Sequence, residues 1–171
     1  MDIIVHPSKI IHQGILKIDE KSYPCALGSN GIGVKDREGD GITPLGKWPI
    51  RYGFYREDRL SRPESAFPFL PISRDMGWCD EPGDPYYNRL IKHPYAASHE
   101  SLWREDHMYD LILVLGFNDD PVVPAKGSAI FMHIAGDDYS PTAGCIALSK
   151  EDFHSVLLKL THHSMVDVRG D

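Results

Sequence analysis

The stretch SAIFMHIAGDDYSPTAGCIALSKEDFHSVLLKL, residues 128–160, holds two short apolar runs and one amphipathic run, with a histidine near the end of the first and a cysteine at the head of the second. Short apolar runs bounded by Gly, Pro, Asp and Ser read as buried strands. SAIFMHI (128–134) is therefore expected to be a core strand with His133 near its end, and Cys145 leads into another at Ile146-Ala147-Leu148. Ser149 then stands where a helix begins, with Asp152 three residues on as its capping partner. Phe153, Val156, Leu157 and Leu160 recur at helical spacing, which predicts one amphipathic helix directly after the cysteine strand.

The same stretch carries the chemistry. A glycine before a nucleophile lets the backbone bend until several N–H groups aim at one point, as an oxyanion hole requires. A strand-end histidine is held rigidly by the core below it. If the two side chains meet, the imidazole of His133 removes the thiol proton of Cys145 and the thiolate attacks a carbonyl. Two other readings stand beside this one. Most free cysteines are small core hydrophobes. Cys145, His133 and Asp137 or Asp138 could also ligate a metal, but they lack the paired two-to-four-residue spacing of structural zinc sites.

Outward from this stretch, YDLILVLGF (109–117) is a continuous apolar run that predicts a central strand. SMVDVRG predicts a final strand, and residues 2–6, 10–18 and 22–27 predict three short opening ones. Between them GSNGIGVKDREGDGITPLG (28–46) is glycine-rich, a loop whose backbone takes special conformations. Residues 60–108 are polar, proline-studded and aromatic with no period of their own, which predicts a loop-rich functional insertion covering one side of the fold.

With 171 residues the chain is expected to form a single domain over 1–171, large enough to bury a core without disulfide or metal. A net charge of −7 with no Lys/Arg cluster argues against a nucleic-acid partner. No apolar run approaches the length that spans a bilayer, and the opening MDIIVHPSKIIHQG lacks a secretory pattern. The expected location is the cytoplasm on the chain as given, or the periplasm if export follows a route not readable here. Cys25, Cys79 and Cys145 show no C-x-x-C spacing and are expected to be free thiols, with Cys25 and Cys79 structural.

GDGITPLGKWPIR followed by SAIFMHI and PTAGCIAL resembles the L,D-transpeptidase catalytic domain family, the YkuD type. The matching positions are Thr43, Pro44, Gly46 and Trp48, then His133, then Thr142, Gly144, Cys145 and Leu148, in the family's order. The resemblance implies a mainly β fold, a sandwich or barrel. It implies an enzyme in which Cys145 is acylated by the penultimate residue of a peptidoglycan tetrapeptide stem, the terminal D-alanine leaves, and an amine or water resolves the thioester. His133 would be base and then acid, and the N–H groups of Gly144 and Cys145 would hold the oxyanion. A backbone carbonyl, Ser128 or Asp138 would orient the histidine. No cofactor is implied, and the partner is a stem peptide or muropeptide.

Two positions depart from the family pattern. Ala143 stands where a histidine is common and Ala147 where an arginine is common, and the histidine-to-cysteine spacing is short. The lost arginine removes a substrate anchor. Arg56, Arg59, Arg89 and Arg104, set among aromatics, are replacement candidates, since a planar guanidinium holds a carboxylate through two hydrogen bonds. Each lies near acidic residues where a solvated ion pair is the ordinary outcome, so the expectation is that at least one of the four reaches substrate. Thr142 is a further contact candidate, and Tyr86, Tyr87 and Trp103 are candidate cleft walls. His99, His107, His162 and His163 read as surface or loop residues. With no export signal in view, water is the expected acceptor, which makes an L,D-carboxypeptidase. The alternatives are a periplasmic L,D-transpeptidase that cross-links the wall and a non-catalytic peptidoglycan-binding domain on the same fold. A catalytic Cys145 is expected to alkylate fastest of the three thiols at neutral pH.

Overall fold

The computed structural model describes all residues 1–171. Its centre is an antiparallel meander, β1 (Ile3–Pro7), β2 (Gln13–Ile18) and β3 (Lys21–Ala26), in which every second side chain is buried. The glycine-rich loop follows and contributes only a two-residue pair, β4 (Ile32–Gly33) with β5 (Thr43–Pro44). The loop folds tightly on itself. A Cβ at Gly28 would sit 2.2 Å from the Gly41 carbonyl oxygen, so no larger residue fits there.

Strand β6 (Gly46–Tyr55) closes the architecture. Its first half pairs with the last strand, β14 (Met165–Val168), and its second half with β11 (Leu111–Leu115). β11 continues through β12 (Phe131–Ile134) and β13 (Ile146–Leu148) to β3, and β1 pairs in parallel with β14. Eight strands thus form a closed ring, which leaves few free edges. A short strand, β7 (Phe69–Pro71), hangs from β6.

Two apolar clusters flank the wall of this ring. Leu111, Leu113, Leu115, Met132, Ile134, Ile146 and Leu148 belong to the larger cluster of 26 buried residues. Ile112, Val114, Phe131 and Cys145 belong to a second cluster of nine with Phe54, Ile72, Trp78, Leu102 and Tyr109. Strand β11 is buried on both faces, which is why its sequence is apolar without alternation. The helix α1 (Lys150–Leu157) puts Phe153, Val156 and Leu157 into the larger cluster, Leu160 joins them just past its end, and Ser149 Oγ caps it by accepting from Asp152 N at 3.1 Å.

The insertion is loop-rich and covers one side of the fold, as expected, and it also carries short strands. Residues 60–108 contain a second sheet, in which β8 (Met76–Cys79) lies between β9 (Leu90–Lys92) and β10 (His99–Ser101). Strands of three or four residues are too short to print a period in the sequence. Trp78 and Leu102 of this layer pack on Phe131 and its neighbours, so the insertion roofs the outer face of β11 and β12. No helix is long and apolar enough to cross a membrane.

Candidate active site

Strands β12 and β13 are parallel neighbours, with Met132 opposite Ile146 and His133 opposite Ala147. In this register Phe131 lies beside Cys145. Aligned residues of a parallel pair share a face and side chains alternate, so His133 and Cys145 both project from the outer face of the ring. Residues 135–145 supply the crossover that a parallel pair needs, including a one-turn 3₁₀ segment at Asp137–Tyr139. The crossover is anchored where Thr142 N donates to Leu27 O and Ser29 N donates to Thr142 O, which ties it to the glycine-rich loop. Gly144 takes φ +139°, and a Cβ there would meet the Ile42 carbonyl oxygen at 2.6 Å. Only glycine allows the chain to pass this point and present Cys145.

Both side chains line one cavity of about 450 Å³ between the ring wall and the insertion. His133 is 5% exposed, and its Nδ1 bonds to the Ile134 carbonyl oxygen at 2.8 Å. A carbonyl only accepts, so Nδ1 carries the proton and Nε2 is a free acceptor facing the cavity. Of the three groups considered for orienting the ring, the structure selects this backbone carbonyl. Ser128 lines the cavity and Asp138 is exposed on the crossover, and neither bonds to His133. The Tyr109 ring packs edge-on against the imidazole, centroids 5.2 Å apart, and fixes its tilt. Burial above all lowers the His133 pKa from the ordinary 6.5 to about 4, so the ring is neutral at neutral pH.

Cys145 is 7% exposed. Its Sγ–H donates to Ala129 O at 3.2 Å, and Sγ accepts from Phe131 N at 3.4 Å. No hydrogen bond joins Sγ to His133 Nε2. Burial first, and the Glu100 carboxylate second, push the thiol pKa up to about 12. The resting pair is therefore a neutral thiol beside a neutral imidazole. A desolvated thiol ionises less, not more, and burial likewise raises Cys25 to about 12 and Cys79 above its ordinary value, so ionisation at rest does not rank the three thiols.

Of the two N–H groups expected to hold an oxyanion, Gly144 N is already committed, donating to Thr142 Oγ1 at 3.1 Å. Thr142 Oγ1 in turn donates to Cys145 O at 2.7 Å. Cys145 N donates to no protein acceptor and is the available donor beside the sulfur. Thr142 lines the cavity, and its hydroxyl holds the turn in shape.

The arginine candidates separate. Arg104 lines the cavity, with its guanidinium over the Tyr109 ring and bonded to Asp106. Arg56 is 3% exposed, stacks on Trp103 at 3.5 Å, and bonds Asp58 and Arg104 O. Arg59 bonds Asp110 and the carbonyls of Asp106 and Glu105. Both hold the insertion together, and neither they nor Trp103 lines the cavity. Arg89 is exposed and lies on other grooves. Tyr87 is buried and donates to Glu38 while accepting from Gly127 N, and Tyr86 is exposed. Ala147, at 0% exposure beside His133, leaves no room for the arginine that the family resemblance implied there.

The sequence reading missed Lys35, Glu38, Asp80, Glu100 and Tyr109, all of which line the cavity. They come from the glycine-rich loop, the insertion and the first position of the 109–117 run, and nothing local marks any of them. Cys25 and Cys79 are free, buried thiols away from this cavity.

A family model described as the L,D-transpeptidase catalytic domain, YkuD, matches residues 13–168. The chain belongs to this family. Its members are peptidoglycan enzymes, and the mainly β ring with one helix after the cysteine strand is the fold expected of it. No curated protein matches the chain. Among solved structures, the helical cell shape determining protein Pgp2 (K307A mutant) from Campylobacter jejuni is similar at 19% identity and a TM-score of 0.43. The match covers 99% of this chain and 47% of that one, so the chain spans about half its length.

Proposed function

We propose that this chain is a cysteine acyl-transfer enzyme that opens the L,D-peptide bond of peptidoglycan tetrapeptide stems, releases the terminal D-alanine and passes the acyl group to water. The observation that carries this reading is the placement of His133 and Cys145 on one face of adjacent parallel strands, lining a common cavity, in a chain of the YkuD family. As substrate enters, Nε2 of His133 takes the Sγ proton while sulfur bonds to the carbonyl carbon. The oxyanion accepts from Cys145 N–H. The imidazolium then gives its proton to the leaving amine of D-alanine as the carbon–nitrogen bond breaks. Water enters, loses a proton to Nε2, attacks the thioester and restores the thiol.

A cavity of about 450 Å³ lies at the small end of the range for ligand pockets. It suits one stem end with a water better than two peptide chains, which supports hydrolysis over cross-linking. The second reading, a binding-only domain, is favoured by one observation: Sγ–H is turned to Ala129 O and not to Nε2. Mass spectrometry of a tetrapeptide stem incubated with wild type, Cys145→Ala and His133→Ala separates these. Loss of one alanine with wild type alone is the expected result, a joined product would show transfer to an amine, and an intact peptide with all three would leave binding only.

A further inference from the structure

One side chain of the insertion joins it to the ring wall beside Cys145. Asn88 is 5% exposed and uses its whole amide. Its Oδ1 accepts from Trp78 Nε1 at 2.9 Å and from Ala129 N at 3.0 Å, and its Nδ2 donates to Phe117 O at 3.0 Å and to Asn118 O at 2.8 Å. A side-chain amide has two acceptor positions and two N–H donors, so every one is filled, and the partners fix which end is oxygen. The neighbouring Tyr87 hydroxyl accepts from Gly127 N at 3.0 Å. Two consecutive residues of the insertion thus hold the approach to β12 at Gly127 and Ala129. Ala129 has φ +52°, a left-handed conformation in which its Cβ is crowded. Such backbone persists only where its surroundings hold it, and here the buried acceptor on Ala129 N–H does so. This turn of the chain reaches the sulfur. Ala129 O accepts from Cys145 Sγ–H at 3.2 Å, and Phe131 N donates to Sγ at 3.4 Å. The sulfur is located by one short stretch of backbone, and that stretch by Asn88. Neither Asn88 nor Tyr87 lines the cavity.

We propose that Asn88 is a positioning residue for Cys145: by holding the Ala129 peptide it fixes where the sulfur sits, and it keeps the thiol proton on Ala129 O at rest. The consequence for turnover rests on the acyl-transfer reading of this cavity, whereas the hold on the thiol stands without it. Removing Asn88 strips Ala129 N of its acceptor, so the strained backbone relaxes and its carbonyl leaves the sulfur. An acceptor on S–H favours the neutral thiol, and its loss makes ionisation easier. The freed sulfur no longer keeps one direction. A small alkylating agent gains from this, while a reaction that needs sulfur, imidazole and carbonyl carbon in register loses.

The test measures iodoacetamide alkylation of each cysteine of the full chain by peptide mass spectrometry at pH 7 to 9. Melting temperature is recorded with it, and kcat and KM for alanine release from a tetrapeptide stem. In Asn88→Ala, Cys145 is expected to react at least about tenfold faster than in wild type, the worth of one buried hydrogen bond. kcat should fall by a similar factor with KM unchanged. Cys25, in β3, and Cys79, whose carbonyl accepts from Asn88 N, should keep their rates and so report on the ring and the roof. Asn88→Asp keeps an oxygen for Ala129 N but cannot donate to both carbonyls, so it should lower the melting temperature and leave Cys145 slow. Should Asn88→Ala not fold, Asn88→Ser, whose hydroxyl binds water in the vacated space, is read in its place. An unchanged Cys145 rate, Cys79 and Cys145 rising together, or equal release of Cys145 by Asn88→Asp would each overturn the proposal, the last two by showing a merely structural role. A kcat that rises with alkylation would overturn it too, since the resting position would then be a brake. Absent alanine release in wild type, with the alkylation pattern as expected, would instead remove the acyl-transfer reading and keep the hold of Asn88 on the thiol.

Discussion

The acid limb of the pH–rate profile follows directly from the burial of His133. Its side chain lies under Tyr109 and the insertion, and desolvation brings its pKa from 6.5 to about 4. Catalysis needs Nε2 unprotonated. At pH 5.5 an ordinary histidine would be about 9% neutral, whereas one with a pKa near 4 is about 97% neutral. The thiol, at about 12, adds no limb below alkaline pH. kcat/KM for alanine release is therefore expected to be flat from about pH 5.5 to 9 and half-maximal near pH 4. The same shift bears on stability. Between pH 6.5 and 4 the unfolded chain binds this proton and the folded chain does not, so stability is whole above about 6.5 and falls as the pH drops. The loss reaches about 3 kcal/mol below pH 4. Urea titrations at pH 7 and 4.5, with His133→Gln as the control that removes the dependence, supply the correction for unfolding. Half-maximal kcat/KM between pH 6 and 7 in protein shown to be folded would refute the neutral, desolvated imidazole and with it the resting state described above.

Three further outcomes are expected. Gly144→Ala places a Cβ against Ile42 O in a backbone conformation alanine rarely adopts; it should cost about 2 kcal/mol in denaturant unfolding and lower kcat more than it raises KM. Ala147→Arg, which restores the residue common in the family, should not rescue anything. It buries a guanidinium at a site with no exposure beside His133, and a fall in Tm of roughly 10 °C corresponds to about 3 kcal/mol or more. Alkylation of Cys145 by iodoacetamide should be slow at pH 7 and still rising at pH 9, because at a pKa of about 12 only about one thiol in 10⁵ is ionised at neutrality. A rate that levels off below pH 7 would show a thiolate already formed.

The parts of the fold that were legible in the sequence are those where local pattern and tertiary demand coincide. The β11 run is apolar at every position because both faces are covered, and α1 announces its cap at Ser149 and its buried face by spacing. His133 and Cys145 were legible because a strand end and a glycine turn are local features. The small sheet of the insertion was not, since its strands are too short to show alternation. Among the arginines, Arg56 and Arg59 fasten the roof, using carbonyls and aspartates that no spacing rule connects to them, and Arg104 is the one that lines the cavity. Glu100 on β10 and Asp80, just past the end of the neighbouring β8, come together only after the roof folds. Their opposition to Cys145 is a product of the β11–β12–β13 wall and the roof meeting, and no window of sequence contains it.

The closed ring and its cover divide the labour between two parts of the polypeptide. On the acyl-transfer reading proposed above, bond making would fall to a pair of strands locked into a continuous cylinder, while side chains from outside that cylinder line the rest of the cavity. Substitutions in the outer part can thus change which molecules are admitted while the reacting groups stay in register. New specificities can arise on this scaffold by exchanging its canopy and leaving its machinery alone.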